Sequence, residues 1–131
     1  MSYSVRIPVR FRDLDVMGHV NNAMYFTFME TARTEYWAQL FQLKDFRQLP
    51  IIVARAECDF KLAAKQGDEL EVSIRTSEIR NSSFDWVYEI RKVNTGELVA
   101  LGKTIQVYYD YSKQKAMPVP ADVRAKLLNK T

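Results

Sequence analysis

The residues best suited to chemistry lie together in one short segment, which reads DLDVMGHVNN. Asp15 supplies a carboxylate, and His19, the only histidine of the chain, supplies an imidazole four residues later. A carboxylate can activate water or attack a carbonyl carbon directly, and an imidazole can donate or accept a proton. Gly18 allows the backbone between them to turn tightly or to approach a ligand closely.

The same segment leads into a predicted helix, whose first amide groups have no partner within the helix. Asn21 or Asn22 can cap this helix. Unpaired N–H groups at a helix start lie in a positive field, so they can polarise a carbonyl oxygen and hold the oxyanion that forms on attack. A carboxylate before such a start therefore suits acyl transfer. From the residues alone a plainer interpretation stays open, with Asp13 and Asp15 in a solvated turn, His19 packed and the asparagines acting only as caps.

The predicted helix extends from about Asn22 to Leu43 and carries an unusual number of large apolar side chains. Phe26 and Trp37 lie outside its main apolar face. That face has helical spacing and consists of Tyr25, Phe28, Met29, Ala32, Tyr36 and Leu40. A helix that is apolar over so much of its surface must be nearly enclosed by the rest of the fold.

Strand-like alternation precedes and follows this helix. The segment from Val5 to Phe11 alternates apolar and polar residues, and Pro8 within it favours an edge strand. Four more alternating segments follow Pro50, separated by turn signals such as Gly67-Asp68. Their apolar positions are Ile52, Ala54, Ala56, Cys58, Phe60 and Leu62, then Leu70, Val72 and Ile74, then Phe84, Trp86, Tyr88 and Ile90, and last Leu101, Ile105, Val107 and Tyr109. A short helix is predicted from Pro120 to Leu128.

These elements predict a single α+β domain over residues 1–131, in which an antiparallel β-sheet wraps around one long central α-helix. Tight turns make neighbouring strands antiparallel, and the sheet buries the apolar helix by curling around it. The outer face and the edges of such a sheet favour association with a second copy. Val53, Val87 and Val99 are apolar positions that alternate away from the helix-facing set. We therefore expect a homodimer or a homotetramer.

Charge and composition argue against several other classes of protein. The 19 basic residues are interleaved with 16 acidic ones and form no block, which disfavours a nucleic-acid-binding surface. The net charge of +3 suits an anionic ligand that carries phosphates. No apolar run reaches the length of a membrane span, and the first residues lack the apolar core of a signal peptide. A single cysteine, Cys58, favours a cytoplasmic location, and its place in an alternating strand favours a packing role for its side chain. One Cys and one His do not make a usual structural zinc site.

The motif Asp13-x-Asp15-x-x-Gly18-x-Val20-x-x-x-x-Tyr25 resembles the signature of the 4-hydroxybenzoyl-CoA thioesterase-like hotdog proteins. The segments Met29–Glu35 and Cys58–Leu70 are similar to the helix and the second strand of that group. The resemblance implies a hotdog fold and hydrolysis of an acyl-CoA, with no metal or redox cofactor, at a site on a dimer interface with CoA along the surface.

The resemblance also implies roles for individual residues. Asp15 matches the catalytic aspartate, as general base or as nucleophile. Amides near Asn21 and Asn22 match those that polarise the thioester carbonyl. Gly18 and Tyr25 match motif positions and are expected at the substrate site.

A second resemblance concerns the same loop. Asp13-Leu14-Asp15-Val16-x-x-His19-Val20-Asn21-Asn22 is similar to the acyl-carrier-protein thioesterases that terminate fatty-acid synthesis. In those enzymes an Asp, an Asn and a His of this loop act with a Glu beside a Cys in the following sheet. Asp15, His19 and Glu57 beside Cys58 match three of these, whereas Met17 stands where the Asn would be. This resemblance implies a catalytic part for His19 and a place for Glu57 at the substrate.

Most alternatives to this hydrolase share its fold and differ in what they do with an acyl thioester. An acyl-carrier-protein thioesterase and a catalytically silent acyl-CoA-binding module both fit the same architecture, and steady-state release of free CoA separates the hydrolase from the binder. Hydration or dehydration of an acyl-CoA is a rival against which the Asp13-to-Tyr25 motif argues. A basic barrel that binds nucleic acid is a further alternative, and salt-dependent binding of oligonucleotides would be the evidence for it.

Overall fold

The fold is known from a computed structural model, which describes residues 3–43 and 49–129. A single 3-10 turn, Phe11–Asp13, follows the first strand. The elements in chain order are β1 (Tyr3–Pro8), α1 (Asn22–Phe41), β2 (Ile51–Phe60), β3 (Glu69–Ile79), β4 (Ser83–Lys92), β5 (Leu98–Asp110), β6 (Lys115–Ala116) and α2 (Ala121–Asn129). The predicted order of strands and helices is confirmed, with the two-residue β6 as an addition.

The strands form one antiparallel sheet in the order β1-β3-β4-β5-β2, and β6 pairs with the end of β5. α1 contacts β1 and β2, which lie at opposite edges of the sheet, as well as β3. Contact with both edges means that the sheet curves around the helix. This is the predicted arrangement of one sheet around one long helix.

The apolar face of β4 is the centre of the core. Phe84, Trp86, Tyr88 and Ile90 are all at most 1% exposed, as the alternation in the sequence predicts. The ring of Trp37, on α1, is stacked with Phe84 at 6.3 Å between centroids and meets Trp86 edge-on. Burial of such large aromatic side chains is the main source of stability in a domain of this size.

α1 approaches β5 closely at Gly102. A Cβ atom at this position would lie 2.2 Å from Sδ of the buried Met29, so the missing side chain makes room for the helix. The inward positions of β5 are small or polar, namely Ala100, Gly102, Thr104 and Gln106, and all four are buried. Leu101, Ile105 and Val107, which identify the strand in the sequence, are only partly buried because they occupy the alternate positions.

The C-terminal end of α1 is closed by its own backbone and by α2. Gln42 adopts the left-handed conformation, with φ of 54°, and its N–H donates to the carbonyl oxygen of Ala38. Lys126 of α2 donates from Nζ to the Leu40 carbonyl oxygen at 3.2 Å and lies 5.8 Å from the centroid of the Phe41 ring. These contacts fix the C-terminal end of α1, which is the end opposite the loop that contains Asp15 and His19.

Candidate active site

Asp13 is a buried structural residue that anchors the segment before this loop. Its carboxylate accepts hydrogen bonds from the backbone N–H of Arg10 at 2.8 Å and from the guanidinium of Arg10 at 2.9 and 3.3 Å. Burial raises the pKa of Asp13, but the hydrogen bonds and the charge of Arg10 together lower it below its usual value. The Asp13 carbonyl oxygen accepts from the Asn21 N–H at 2.8 Å. The interpretation as a solvated turn is therefore wrong for Asp13. The predicted extension of the first strand to Phe11 is also wrong, because β1 ends at Pro8 and the 3-10 turn begins at Phe11.

We expect Asp13→Asn to lower the free energy of unfolding by about 1–3 kcal/mol at neutral pH, because an amide replaces the charged acceptor of buried hydrogen bonds. Since the folded-state pKa is lowered, this stabilisation is complete above the ordinary carboxyl pKa and is lost as the pH falls through the lowered value. Urea unfolding of both proteins from neutral to strongly acidic pH should show their difference shrinking at the acidic end. A difference that stays constant with pH would contradict this role.

Asp15 begins a tight turn that its own carboxylate organises. Leu14 and Val20 form an antiparallel bridge, and the Asp15 N–H donates to the His19 carbonyl oxygen at 2.8 Å. Oδ1 of Asp15 accepts from the backbone N–H groups of Met17 at 2.9 Å and His19 at 3.3 Å. Among the described residues, none donates a hydrogen bond to Oδ2. The turn thus fixes the carboxylate through one oxygen and leaves the other available.

Gly18 completes this turn through its backbone conformation. Its φ of +80° lies in the left-handed region, where a glycine is favoured at the end of a three-residue hairpin loop. No atom lies within 4 Å of a Cβ built on Gly18, so a side chain would have space there. Gly18 therefore shapes the loop that carries Asp15, whereas its expected place at the substrate stays a prediction.

We expect Gly18→Ala to lower the free energy of unfolding by about 1–2 kcal/mol, because alanine is strained at this φ. The kcat should fall as well, since a relaxed turn would move the Asp15 carboxylate. Gly18→Asn is the matched control, because asparagine tolerates the left-handed region better than alanine. This variant should therefore lose less stability and less kcat than Gly18→Ala. Equal losses in both variants, measured by urea unfolding and steady-state kinetics, would show that the side chain and not the backbone conformation matters.

Asp15 and His19 face an open pocket of about 280 Å³ at the N-terminal end of α1. Asn22 and Tyr25 also line this pocket, so four residues of the predicted site meet here. The complete lining is Asp15, His19, Val20, Asn22, Tyr25, Phe60, Lys61, Leu62 and Ala63. The pocket thus combines a carboxylate, an imidazole and a helix start, a combination that suits acyl transfer.

The segment that follows β2 forms the opposite wall of this pocket. Val20 donates its N–H to the Ala64 carbonyl oxygen at 2.8 Å, and His19 forms an antiparallel bridge with Lys65. The N–H groups of Lys61 and Leu62 donate to one carbonyl oxygen in β5. These wall residues could not be identified from the sequence, because nothing local in it shows that residues 61–65 pack against the Asp15 turn.

The N-terminus of α1 is capped by Asn21. Its side-chain oxygen accepts from the Ala23 N–H at 2.9 Å, which confirms one of the two predicted caps. Asn21 does not line the pocket, whereas Asn22, the first residue of the helix, does. The Asn22 N–H has no acceptor among the described residues, as is usual for the first amide of a helix.

Tyr25, which lines the pocket, and the nearby Cys58 are both held in their neutral forms. Burial raises the pKa of Tyr25 to about 12, and the neighbouring Cys58 and Asp68 act in the same direction. Burial likewise raises the pKa of the Cys58 thiol to about 11. A thiol with this pKa is protonated at neutral pH and is a poor nucleophile. The ring of Tyr25 also packs edge-on against Phe60 at 5.3 Å between centroids.

Glu57 lies apart from the other predicted site residues within one chain. It is exposed on β2, and its Oε1 accepts from Nε of Arg55 at 3.1 Å. It does not line the pocket at Asp15. A role for Glu57 at the substrate therefore stays a prediction.

Within the described ranges, 3–43 and 49–129, no three His, Cys, Asp or Glu side chains lie close enough together to hold a metal ion. None of the helices in these ranges has the length and apolar character needed to cross a membrane.

Comparison with known proteins gives consistent matches over nearly the whole chain. Residues 9–127 match the family described as the thioesterase-like superfamily. The long-chain acyl-CoA thioesterase FadM of Escherichia coli (strain K12) is 29% identical over 127 residues, which cover 93% of this chain and 94% of FadM.

Two solved structures show the same architecture. A Thermus thermophilus thioesterase complexed with coenzyme A and Zn is 33% identical, with a TM-score of 0.87 over 96% of this chain and 91% of that one. The 4-hydroxybenzoyl-CoA thioesterase of Pseudomonas sp. strain CBS-3 is 23% identical, with a TM-score of 0.84 over 95% and 98% of the two chains. These likenesses confirm the predicted hotdog fold.

Proposed function

Because the chain belongs to the thioesterase-like superfamily, we propose that this thioester hydrolase acts on acyl-CoA and releases the free acid and CoA. Its likeness to FadM and to a thioesterase that binds coenzyme A supports this substrate class. The observation that carries the proposal is that Asp15 and Asn22, the first residue of α1, line one pocket. A carboxylate and a helix start are two groups that suit hydrolysis of a thioester.

In the proposed reaction the thioester carbonyl lies between Asp15 and the first turn of α1. The Asn22 N–H donates to the carbonyl oxygen and stabilises the negative charge that develops there. Oδ2 of Asp15 either takes a proton from an attacking water or attacks the carbonyl carbon itself, in which case water then hydrolyses the mixed anhydride. In both routes a C–O bond forms, the C–S bond breaks and the CoA thiolate takes up a proton.

A thiol-release assay over a panel of acyl-CoAs, from short aliphatic to aromatic, tests the proposed function. We expect steady-state release of CoA from at least one of them. Binding without release would instead favour the silent acyl-CoA-binding module. Faster release from acyl groups attached to an acyl carrier protein than from the same acyl-CoAs would favour the carrier-protein thioesterase.

We also propose that the working form is a homodimer or a homotetramer in the cytoplasm. β2 lies at the edge of the sheet, and only its β5 side is paired with a strand among the described residues. Ile52 and Phe60 of this edge strand are 40% and 45% exposed. A long edge strand with apolar side chains favours pairing with a second copy of itself, which would bring Glu57 into the interface.

We expect light scattering to give two or four times the chain mass of 15.3 kDa at micromolar concentration. Ile52→Asp should lower that mass, because a charge on the exposed apolar edge opposes burial. Ser4→Asp is a control on β1, an exposed position at the opposite edge of the sheet. A stable monomer of the native chain would contradict the proposal.

A further inference from the structure

A second cavity of about 400 Å³ lies farther along α1, between the helix and the beginning of β2. It shares no lining residue with the pocket at Asp15. The opposite wall is apolar and includes Leu49, Ile51 and Val53. The helix side, by contrast, is polar and consists of Glu30, Arg33 and Thr34. Such a contrast between an apolar wall and a few polar groups is typical of ligand sites.

The two cavities lie at the two ends of one seam between α1 and β2. The pocket at Asp15 joins the start of α1 to Phe60, at the end of β2, whereas the second cavity joins Arg33 to the first residues of β2. Arg33 follows Asn22 by eleven residues, which is about 16 Å along a helix. β2 carries small, exposed side chains at Ala54 and Ala56 in between. An acyl chain whose thioester lies at Asp15 can therefore follow the seam to Arg33.

Arg33 is a partly buried cation that has no anionic partner within residues 3–43 and 49–129. Burial raises the pKa of Tyr88, and the guanidinium of Arg33 lies near enough to the Tyr88 hydroxyl to lower it; that hydroxyl is 2.6 Å from the Thr104 hydroxyl. Among the described residues, no carboxylate lies within ion-pair distance of Arg33, although the exposed Glu30 borders the same cavity. A charge that is partly removed from water is costly unless it is paired, so this cavity favours an anionic ligand group.

We propose that Arg33 binds a carboxylate at the far end of the acyl group, which makes acyl-CoA monothioesters of dicarboxylic acids the preferred substrates. A guanidinium binds a carboxylate through two parallel hydrogen bonds, and Tyr88 and Thr104 would hold the guanidinium in place from behind. The apolar wall of Leu49, Ile51 and Val53 contacts the methylene groups before the carboxylate. This inference rests on the proposed acyl-CoA hydrolysis and specifies its substrate.

The test compares kcat/KM for pairs of substrates with the same number of carbons, a dicarboxylic monothioester of CoA and the corresponding unsubstituted acyl-CoA. We expect the native enzyme to prefer the dicarboxylic member roughly 10-fold or more at the chain length that reaches Arg33. Arg33→Gln should lower this ratio about 10- to 100-fold, since it removes a charged hydrogen-bonding partner, and Arg33→Lys should lower it less. Arg6→Gln, the same change on an exposed position of β1, should leave the ratio unaltered.

Three outcomes would overturn the inference. The first is a native enzyme that hydrolyses both members of every pair equally well. The second is an equal loss for both members in Arg33→Gln, which would show that Arg33 stabilises the fold or pairs with an acid of the second subunit. The third is a ratio that falls equally in Arg6→Gln. Failure of the proposed function looks different, because then neither member of any pair releases CoA.

Discussion

Replacing Asp15 by asparagine should reduce kcat for acyl-CoA hydrolysis at least ~100-fold and leave the fold intact, because an amide neither accepts the proton nor attacks the carbonyl carbon well. The turn explains why the fold survives. The Asn side-chain oxygen can still accept from the N–H groups of Met17 and His19, as Oδ1 of Asp15 does. Only the second oxygen, which has no partner in the described part of the chain, is replaced by an NH₂ group.

The measurement is steady-state CoA release by the purified variant, together with circular dichroism and urea unfolding. Asp122→Asn, the same change on an exposed position of α2, controls for the loss of one negative charge and should keep normal turnover. Near-normal kcat in a folded Asp15→Asn protein would refute the catalytic role of Asp15. Solvent oxygen found in the Asp15 carboxylate after repeated turnover in ¹⁸O-labelled water would identify the covalent route with attack of water on the Asp15 carboxyl carbon, because the general-base route places solvent oxygen only in the product acid.

The fold was largely predictable because its pattern is local and periodic. Phe84, Trp86 and Tyr88 alternate with polar residues, and each is buried as predicted. The exception is β5, whose inward face carries Gly102 and Thr104. Small and polar residues give no hydrophobic signal, and they are tolerated here because Met29 fills the space above Gly102 and the Thr104 hydroxyl bonds with Tyr88. Such compensation depends on the neighbouring elements, so periodicity cannot show it.

In the candidate site, too, the residues that are close in sequence could be predicted, whereas the contacts made by the fold could not. Asp15 and Gly18 are close in sequence and lie in one turn, so residue types and spacing were sufficient to make them candidates. Asp13 belongs to the same motif, but only the structure shows that it is buried against Arg10. The wall at Lys61 and Leu62 comes from another part of the chain, and no local signal predicts that it closes the pocket.

His19→Ala should slow turnover roughly 10- to 1,000-fold, less than Asp15→Asn, because a lost hydrogen bond in the transition state costs a few kcal/mol. The structure makes this variant informative. The contacts that residue 19 makes with the turn use its backbone, since its N–H donates to Asp15 Oδ1 and its carbonyl oxygen accepts from the Asp15 N–H. Alanine keeps both groups, so the variant removes only the imidazole that faces the pocket.

The decisive comparison is kcat for His19→Ala and Asp15→Asn on the same substrate, with circular dichroism to confirm that both are folded. If His19→Ala is as slow as Asp15→Asn, the two side chains act as one catalytic unit and the proposed ranking is wrong. If it is fully active, the imidazole has no part in the reaction, and residue 19 serves the loop through its backbone alone. An intermediate loss, with the urea midpoint unchanged, identifies an imidazole that hydrogen-bonds the reacting thioester or the attacking group while Asp15 carries the chemistry.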